Sequence, residues 1–215
     1  MNVSYITHSR LGSIALLWMT AGSTPFLQRI LLSCPDSPAE ILVRRFFPDA
    51  ETGTCDEMES LADEITRLAD GEPVVFSRET PLQSCGNFQR QVLTMLKTIP
   101  RGSVITYRTL ASRLNKPGGA RAVGNALSDN PFPLVLPCHR VVRSDGTLGG
   151  YQGGTRMKAL LLGYEGIALD GDIKVPPEKI DRQTSFLYDS CRTFPVPISN
   201  RPSRKAANAD KVSGH

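Results

Sequence analysis

The chain has 215 residues, 40% of them hydrophobic, with 25 Lys and Arg against 21 Asp and Glu and a formal net charge of +4. That suits one large or two small domains with real cores, and no run is long enough to cross a bilayer. Five cysteines (34, 55, 85, 138, 191) without a Cys-x-x-Cys pair, and only His8, His139 and His215 beside them, argue against a disulfide framework or a zinc site and for a reducing compartment.

From the N-terminus, residues 3–7, 13–18 and 26–32 are short β-branched or apolar runs separated by Gly and Ser, which predicts a small antiparallel sheet. The run 11–21 follows Arg10 like a secretory apolar segment, but it lacks an Ala-x-Ala site and suits a strand pair better. A helix follows with Met58, Leu61, Ala62, Ile65 and Leu68 on one face, ending at Asp70-Gly71. Residues 71–86, with Pro73 and Pro81, read as a linker, and Phe88, Val92, Met95, Leu96 and Ile99 then mark an amphipathic helix.

Tyr107, Leu110, Ala111 and Leu114 have the spacing of one helical face, Lys116-Pro117-Gly118-Gly119 stops that helix, and residues 120–127 form another. Two helices joined by a tight Gly-containing turn read as a helix-turn-helix. The second carries Ala120, Ala122, Gly124 and Ala126, small residues that suit either close helix packing or close approach of the backbone to another surface. Charge favours the second reading. Residues 101–163 hold nine Lys or Arg against Asp129 and Asp145, so the segment carries +7 on a +4 chain. Such a basic segment is the electrostatic footprint of a nucleic-acid face.

Leu134-Val135-Leu136 reads as a strand that breaks at Pro137 and delivers Cys138 and His139. Adjacent strand residues point to opposite faces, so the two cooperate only if the chain bends or turns helical after the proline. A thiol of pKa about 8.5 beside an imidazole is a candidate nucleophile. Residues 155–162 give a last helix. Beyond Lys174 periodicity fades and prolines accumulate, and residues 199–215 are polar without aromatics. Arg201, Arg204, Lys205 and Lys211 there can touch DNA or simply solvate a tail, and Phe186-Leu187-Tyr188 has no assigned role.

Thr106-Tyr107, Ala120-Arg121-Ala122-Val123-Gly124, Asn130-Pro131, Pro137-Cys138-His139-Arg140-Val141-Val142, Gly150-Tyr151-Gln152-Gly153-Gly154, Lys158 and Leu161-Leu162 with Glu165 together resemble the catalytic domain of O6-alkylguanine-DNA alkyltransferases. The resemblance runs from Phe88 to Gly166 and is weak before that. It implies a protein that flips O6-alkylguanine out of duplex DNA and transfers the alkyl group irreversibly to its own cysteine, Cys138, without a cofactor. His139 and Glu165 would draw the thiol proton through a water, Asn130 would fix the turn carrying the cysteine, and Tyr107 would assist flipping and donate to the departing guanine. Arg121 would fill the gap in the base stack from the minor groove, on a helix whose Ala120, Ala122 and Gly124 let it sit deep. Val141, Tyr151, Gly153 and Pro133 would shape the guanine pocket.

Three positions depart from the family pattern: Gln152 where a small residue is common at the pocket rim, and Leu93 and Leu160 where core tryptophans are common. The fold expected is α/β (α+β): an N-terminal antiparallel sheet with a helix over 1–80, a mainly helical catalytic domain with the helix-turn-helix over 87–168, and an extension over 175–215. A monomer located in the cytoplasm, or in the nucleus of a eukaryote, is expected, with double-stranded DNA as partner and no membrane. Two other functions fit part of the pattern. An alkyltransferase-like protein that binds lesions without repair would lack the cysteine, and a cysteine hydrolase would leave the helix-turn-helix and Arg121 unexplained.

Overall fold

The structure, a computed structural model, describes residues 1–34, 36–76, 80–171 and 173–183. Strands β1 (Asn2–Ile6), β2 (Ile14–Ala21) and β3 (Thr24–Leu32) pair antiparallel, and a short β4 (Glu51–Thr52) adds parallel to β1, giving the order β3-β2-β1-β4. The second and third apolar runs both extend to a tight turn between Ala21 and Thr24, where Gly22 takes φ +62°.

The sheet is covered on both faces, which explains why β2 is a nearly unbroken apolar run. Ala15 and Leu17 join Val3 against helix α1 (Ala39–Phe46) through Ala39 and Val43. Ile14, Leu16, Trp18 and Ile30 share the opposite core with Met58, Leu61, Ile65 and Leu68 of α2 (Asp56–Ala69), which stops at Gly71 with φ +92°. Helix α1 has no counterpart in the sequence reading. The presumed linker is not free of the core either: Val74, Phe76 and Leu82 pack against it.

The second half contains α3 (Asn87–Leu96), β5 (Val104–Thr106), α4 (Tyr107–Arg113), α5 (Ala120–Ser128), β6 (Val141–Val142), α6 (Gly154–Tyr164) and β7 (Ile180–Asp181). Thr106 caps α4, its hydroxyl accepting from the Thr109 amide at 3.0 Å. This half is not only helical. Strands β5, β6 and β7 form a parallel sheet in the order β6-β5-β7, and strands of two or three residues are too short to register as periodicity. Ile180 and Val175 are buried with Val104, Val142, Leu148, Leu162 and Ile167, so the sheet recruits chain beyond residue 168. Residues 184–215, including the Phe186-Leu187-Tyr188 run, Cys191, the basic residues from Arg201 onward and His215, lie outside the described residues.

One core runs through both halves, from Ile6 and Leu16 to Leu136, Val141 and Leu161. The N-terminal sheet also braces the region before the cysteine directly, because the Ile30 amide donates to the Pro131 carbonyl at 2.8 Å.

Candidate active site

The stretch before Cys138 is a set of turns rather than the strand expected over 134–136, and Leu134, 2% exposed, sits at φ +74°. A bulky residue in that region persists only where its surroundings over-determine it. Here Asn130 does so. Its Oδ1 accepts from the Phe132 amide at 3.0 Å, and its Nδ2 donates to the Leu136 carbonyl at 3.1 Å and to Cys138 Sγ at 3.2 Å. The chain does bend after Pro137, into a single 3-10 turn, Cys138–Arg140, that leads into β6.

Cys138 is 6% exposed and His139 1%. His139 Nε2 lies 2.9 Å from Glu165 Oε1. An ionised carboxylate only accepts, so this contact places the ring proton on Nε2 and leaves Nδ1 as the basic nitrogen. Nδ1 is buried with no hydrogen-bond partner among the described residues. Glu165 caps the C-terminal end of α6 and its side chain is 4% exposed, so it is an interior acid. Arg140 was not singled out from sequence, yet it donates to both oxygens of Glu165 and, through Nη1, to the Ile99 carbonyl at 2.6 Å.

Burial dominates the electrostatics. It raises the Cys138 thiol above its ordinary pKa, while the Asn130 amide and the Lys158 charge pull it back down. Burial likewise lowers His139 against the opposing pull of Glu165, so the imidazole rests neutral. For Glu165 burial works upward, but the hydrogen bonds from His139 and Arg140 win and hold it at about 2. Lys158 is fully buried, with Nζ donating to the Val141 carbonyl at 2.6 Å and to the Leu148 carbonyl, and 6.0 Å from the Tyr107 ring centroid. Burial depresses its pKa to about 8, partly countered by Cys138. Its position amid the apolar residues of α6 was the signal that could have flagged it.

A cleft of about 920 Å³ opens onto this centre, lined among others by Tyr107, Ala120, Arg121, Gly124, Cys138, Arg143, Tyr151 and Gln152. Tyr107 starts α4 and Arg121 lies in the first turn of α5, so the two helices form one wall and the cysteine turn with the 149–152 loop the other. Val141, Gly153 and Pro133 do not line the cleft. Val141 is buried in the core with its carbonyl taken by Lys158, Pro133 is buried in the turn, and Gly153 caps α6 where any side chain would run into Met157. Of the nine basic residues counted from sequence, Arg101, Arg113, Arg140 and Lys158 bond protein groups, and Arg121 and Arg143 form the basic wall of the cleft. Leu93 is a core residue as expected, whereas Leu160 is 39% exposed and is not.

A mixed α+β protein with a buried free cysteine in the wall of a basic cleft is a narrow class, and comparison with known proteins agrees. The family model described as "6-O-methylguanine DNA methyltransferase, DNA binding domain" matches residues 87–167. A methylated-DNA–protein-cysteine methyltransferase of Methanothermobacter thermautotrophicus is 47% identical over 115 residues, 53% of this chain and 64% of that protein. Its Shigella flexneri namesake is 51% identical over 82 residues, 38% of this chain and 48% of that one. The chain thus aligns with about half to two-thirds of the length of these curated relatives. Among solved structures, Mycobacterium tuberculosis O6-methylguanine methyltransferase superposes with a TM-score of 0.60 at 30% identity, over 76% of this chain and 92% of that one. The same organism's OGT in complex with DNA gives 0.62 at 28% identity, over 77% and 94%. The chain belongs to the O6-methylguanine-DNA methyltransferase family.

Proposed function

We propose that the protein repairs O6-alkylguanine in double-stranded DNA by moving the alkyl group onto Cys138, once per molecule. The observation that carries this reading is the placement of the Cys138 thiol in the wall of a cleft bearing Arg121, bonded by the Asn130 amide and followed in the chain by a neutral imidazole whose Nδ1 has no partner among the described residues. α4, its turn and α5 act as a helix-turn-helix against the minor groove. Ala122 is exposed and a Cβ on Gly124 would meet only the Tyr107 ring, at 3.9 Å, so internal packing does not demand their small size. Close docking of the helix does. Arg121, exposed at the start of α5, takes the place of the extruded base, and Tyr107 faces the cleft where that base arrives.

In the reaction His139 Nδ1 takes the thiol proton through a water, and Glu165 steadies the imidazolium that forms. The thiolate attacks the alkyl carbon, an S–C bond forms as the C–O6 bond breaks, and the electron pair leaves on O6. Tyr107 donates a hydrogen bond to the departing guanine, which regains one proton on its ring. The product is a thioether with no route back to thiol, so each chain acts once. The protein works as a monomer on DNA in the cytoplasm, or in the nucleus if its source is a eukaryote. Titration of a fixed amount of protein with duplex carrying labelled O6-methylguanine tests the reading: label in protein should plateau at one equivalent. Continued release of product would mean a turnover hydrolase, and binding without label transfer would mean a lesion binder.

A further inference from the structure

Gln152 lies at the rim of the cleft, but its side chain does not simply project into it. Its Nε2 donates to the Asn130 carbonyl at 2.7 Å and to the Ser128 carbonyl at 3.2 Å. Two carbonyl partners identify that atom as the amide nitrogen. Gln89 does the same from α3, its Nε2 reaching the Asp129 carbonyl at 2.9 Å and the Ala126 carbonyl at 3.4 Å. The carbonyl end of α5, which helical bonding leaves without partners, is therefore held by two glutamines, and only Gln152 holds the residue that itself holds the sulfur.

We infer that Gln152 is a positioning residue, pinning the Asn130 backbone so that the Asn130 amide stays on the Cys138 sulfur and favours its thiolate. This rests on the reading of Cys138 as the alkyl acceptor. The bond chain is continuous, Gln152 Nε2 to Asn130 O and Asn130 Nδ2 to Cys138 Sγ, and the second link is among the forces that draw the thiol pKa down. The other groups that act on the sulfur are Lys158 from α6, Tyr107 from α4 and Tyr151 beside Gln152, with His139 and its partner Glu165 next along the cysteine turn, and none of them bonds Gln152.

The test is the pH dependence of Cys138 carboxamidomethylation by iodoacetamide, followed by peptide mass spectrometry, which needs no repair activity. Gln152→Met keeps length and loses the donor, and should raise the midpoint by about 0.5–1 pH unit, about threefold to tenfold less thiolate near neutrality. Gln152→Glu, which sets an acceptor where the donor stood, should raise it further. In an Asn130→Ala background Gln152→Met should not move the midpoint again. An unshifted midpoint in Gln152→Met, or a shift of equal size with Asn130 already removed, overturns the inference. Because alkylation by iodoacetamide is read separately from alkyl transfer out of DNA, a wild type that shows the titration but no transfer would sink the repair reading, whereas failure of the Gln152 link alone would show in the midpoints with transfer intact.

Discussion

Arg140 grips Glu165 through both carboxylate oxygens, its Nε 3.0 Å from each and its Nη2 2.8 Å from Oε1, the same oxygen that takes the His139 Nε2–H at 2.9 Å. The acid is thus fixed and ionised whatever the imidazole does. It orients His139 and is ready to stabilise the imidazolium, while the guanidinium moderates how strongly it charges the ring at rest.

Glu165→Gln should slow single-turnover transfer at pH 7 by roughly 100-fold, because the imidazole loses the partner that fixes its tautomer and supports its positive form. The defect lies in making thiolate, so raising pH toward the ordinary thiol value should restore rate in the variant more than in wild type. Parallel pH profiles, or a variant as fast as wild type, would reduce Glu165 to a structural acid.

The same carboxylate ties stability to pH. Its folded pKa of about 2 lies below the ordinary 4.5, so its contribution is complete above 4.5 and is lost as pH falls through the window down to 2. Removing one partner of a buried ionic group costs about 3–5 kcal/mol. Urea unfolding should therefore place Glu165→Ala well below wild type at pH 7, with the gap closing as pH falls from 4.5 toward 2; a gap independent of pH would contradict the assignment.

Lys158→Met removes the buried cation that helps hold the sulfur anionic, and should slow transfer at pH 7 by about threefold to tenfold with recovery at higher pH. It also leaves the Val141 and Leu148 carbonyls without their donor, at about 1–3 kcal/mol each. Thermal unfolding and a transfer profile against pH measure the two effects separately, and a variant with lowered Tm but an unchanged profile would confine Lys158 to structure.

Arg121→Ala should slow repair of duplex about tenfold or more, since the unstacking that the side chain offsets is worth a few kcal/mol. Free O6-alkylguanine base needs no flipping, so its rate should hold within about twofold. Equal losses on both substrates would rule out a role for Arg121 in flipping.

Much of this was legible in the sequence where a residue type and a long pattern coincided. The first three strands follow from apolar runs broken by Gly and Ser, α2, α3 and α4 from 3.6-residue spacing, α5 from the Gly-containing turn before it, and Cys138, His139, Asn130, Tyr107 and Arg121 from a dense motif. What escaped was short or non-local. α1 spans only Ala39–Phe46, and β5, β6 and β7 gain meaning only when chain far apart meets. Arg140, Lys158 and Gln152 act through contacts 10 to 41 residues away, which neither charge counting nor spacing encodes. Val141 and Pro133 were placed in the pocket by analogy, but the packing behind the cysteine turn claims both.

The most direct measurement is peptide mass spectrometry of the protein after incubation with excess O6-methylguanine duplex, run beside Cys138→Ala. Direct transfer predicts one added methyl per chain, located on the Cys138 peptide. The alanine variant should show none while still binding duplex with about wild-type affinity, because phosphate and groove contacts hold the DNA. Methylation at Cys85 instead, methyl transfer that survives in Cys138→Ala, or demethylated duplex accumulating beyond one equivalent with Cys138 unmodified would contradict the central claim.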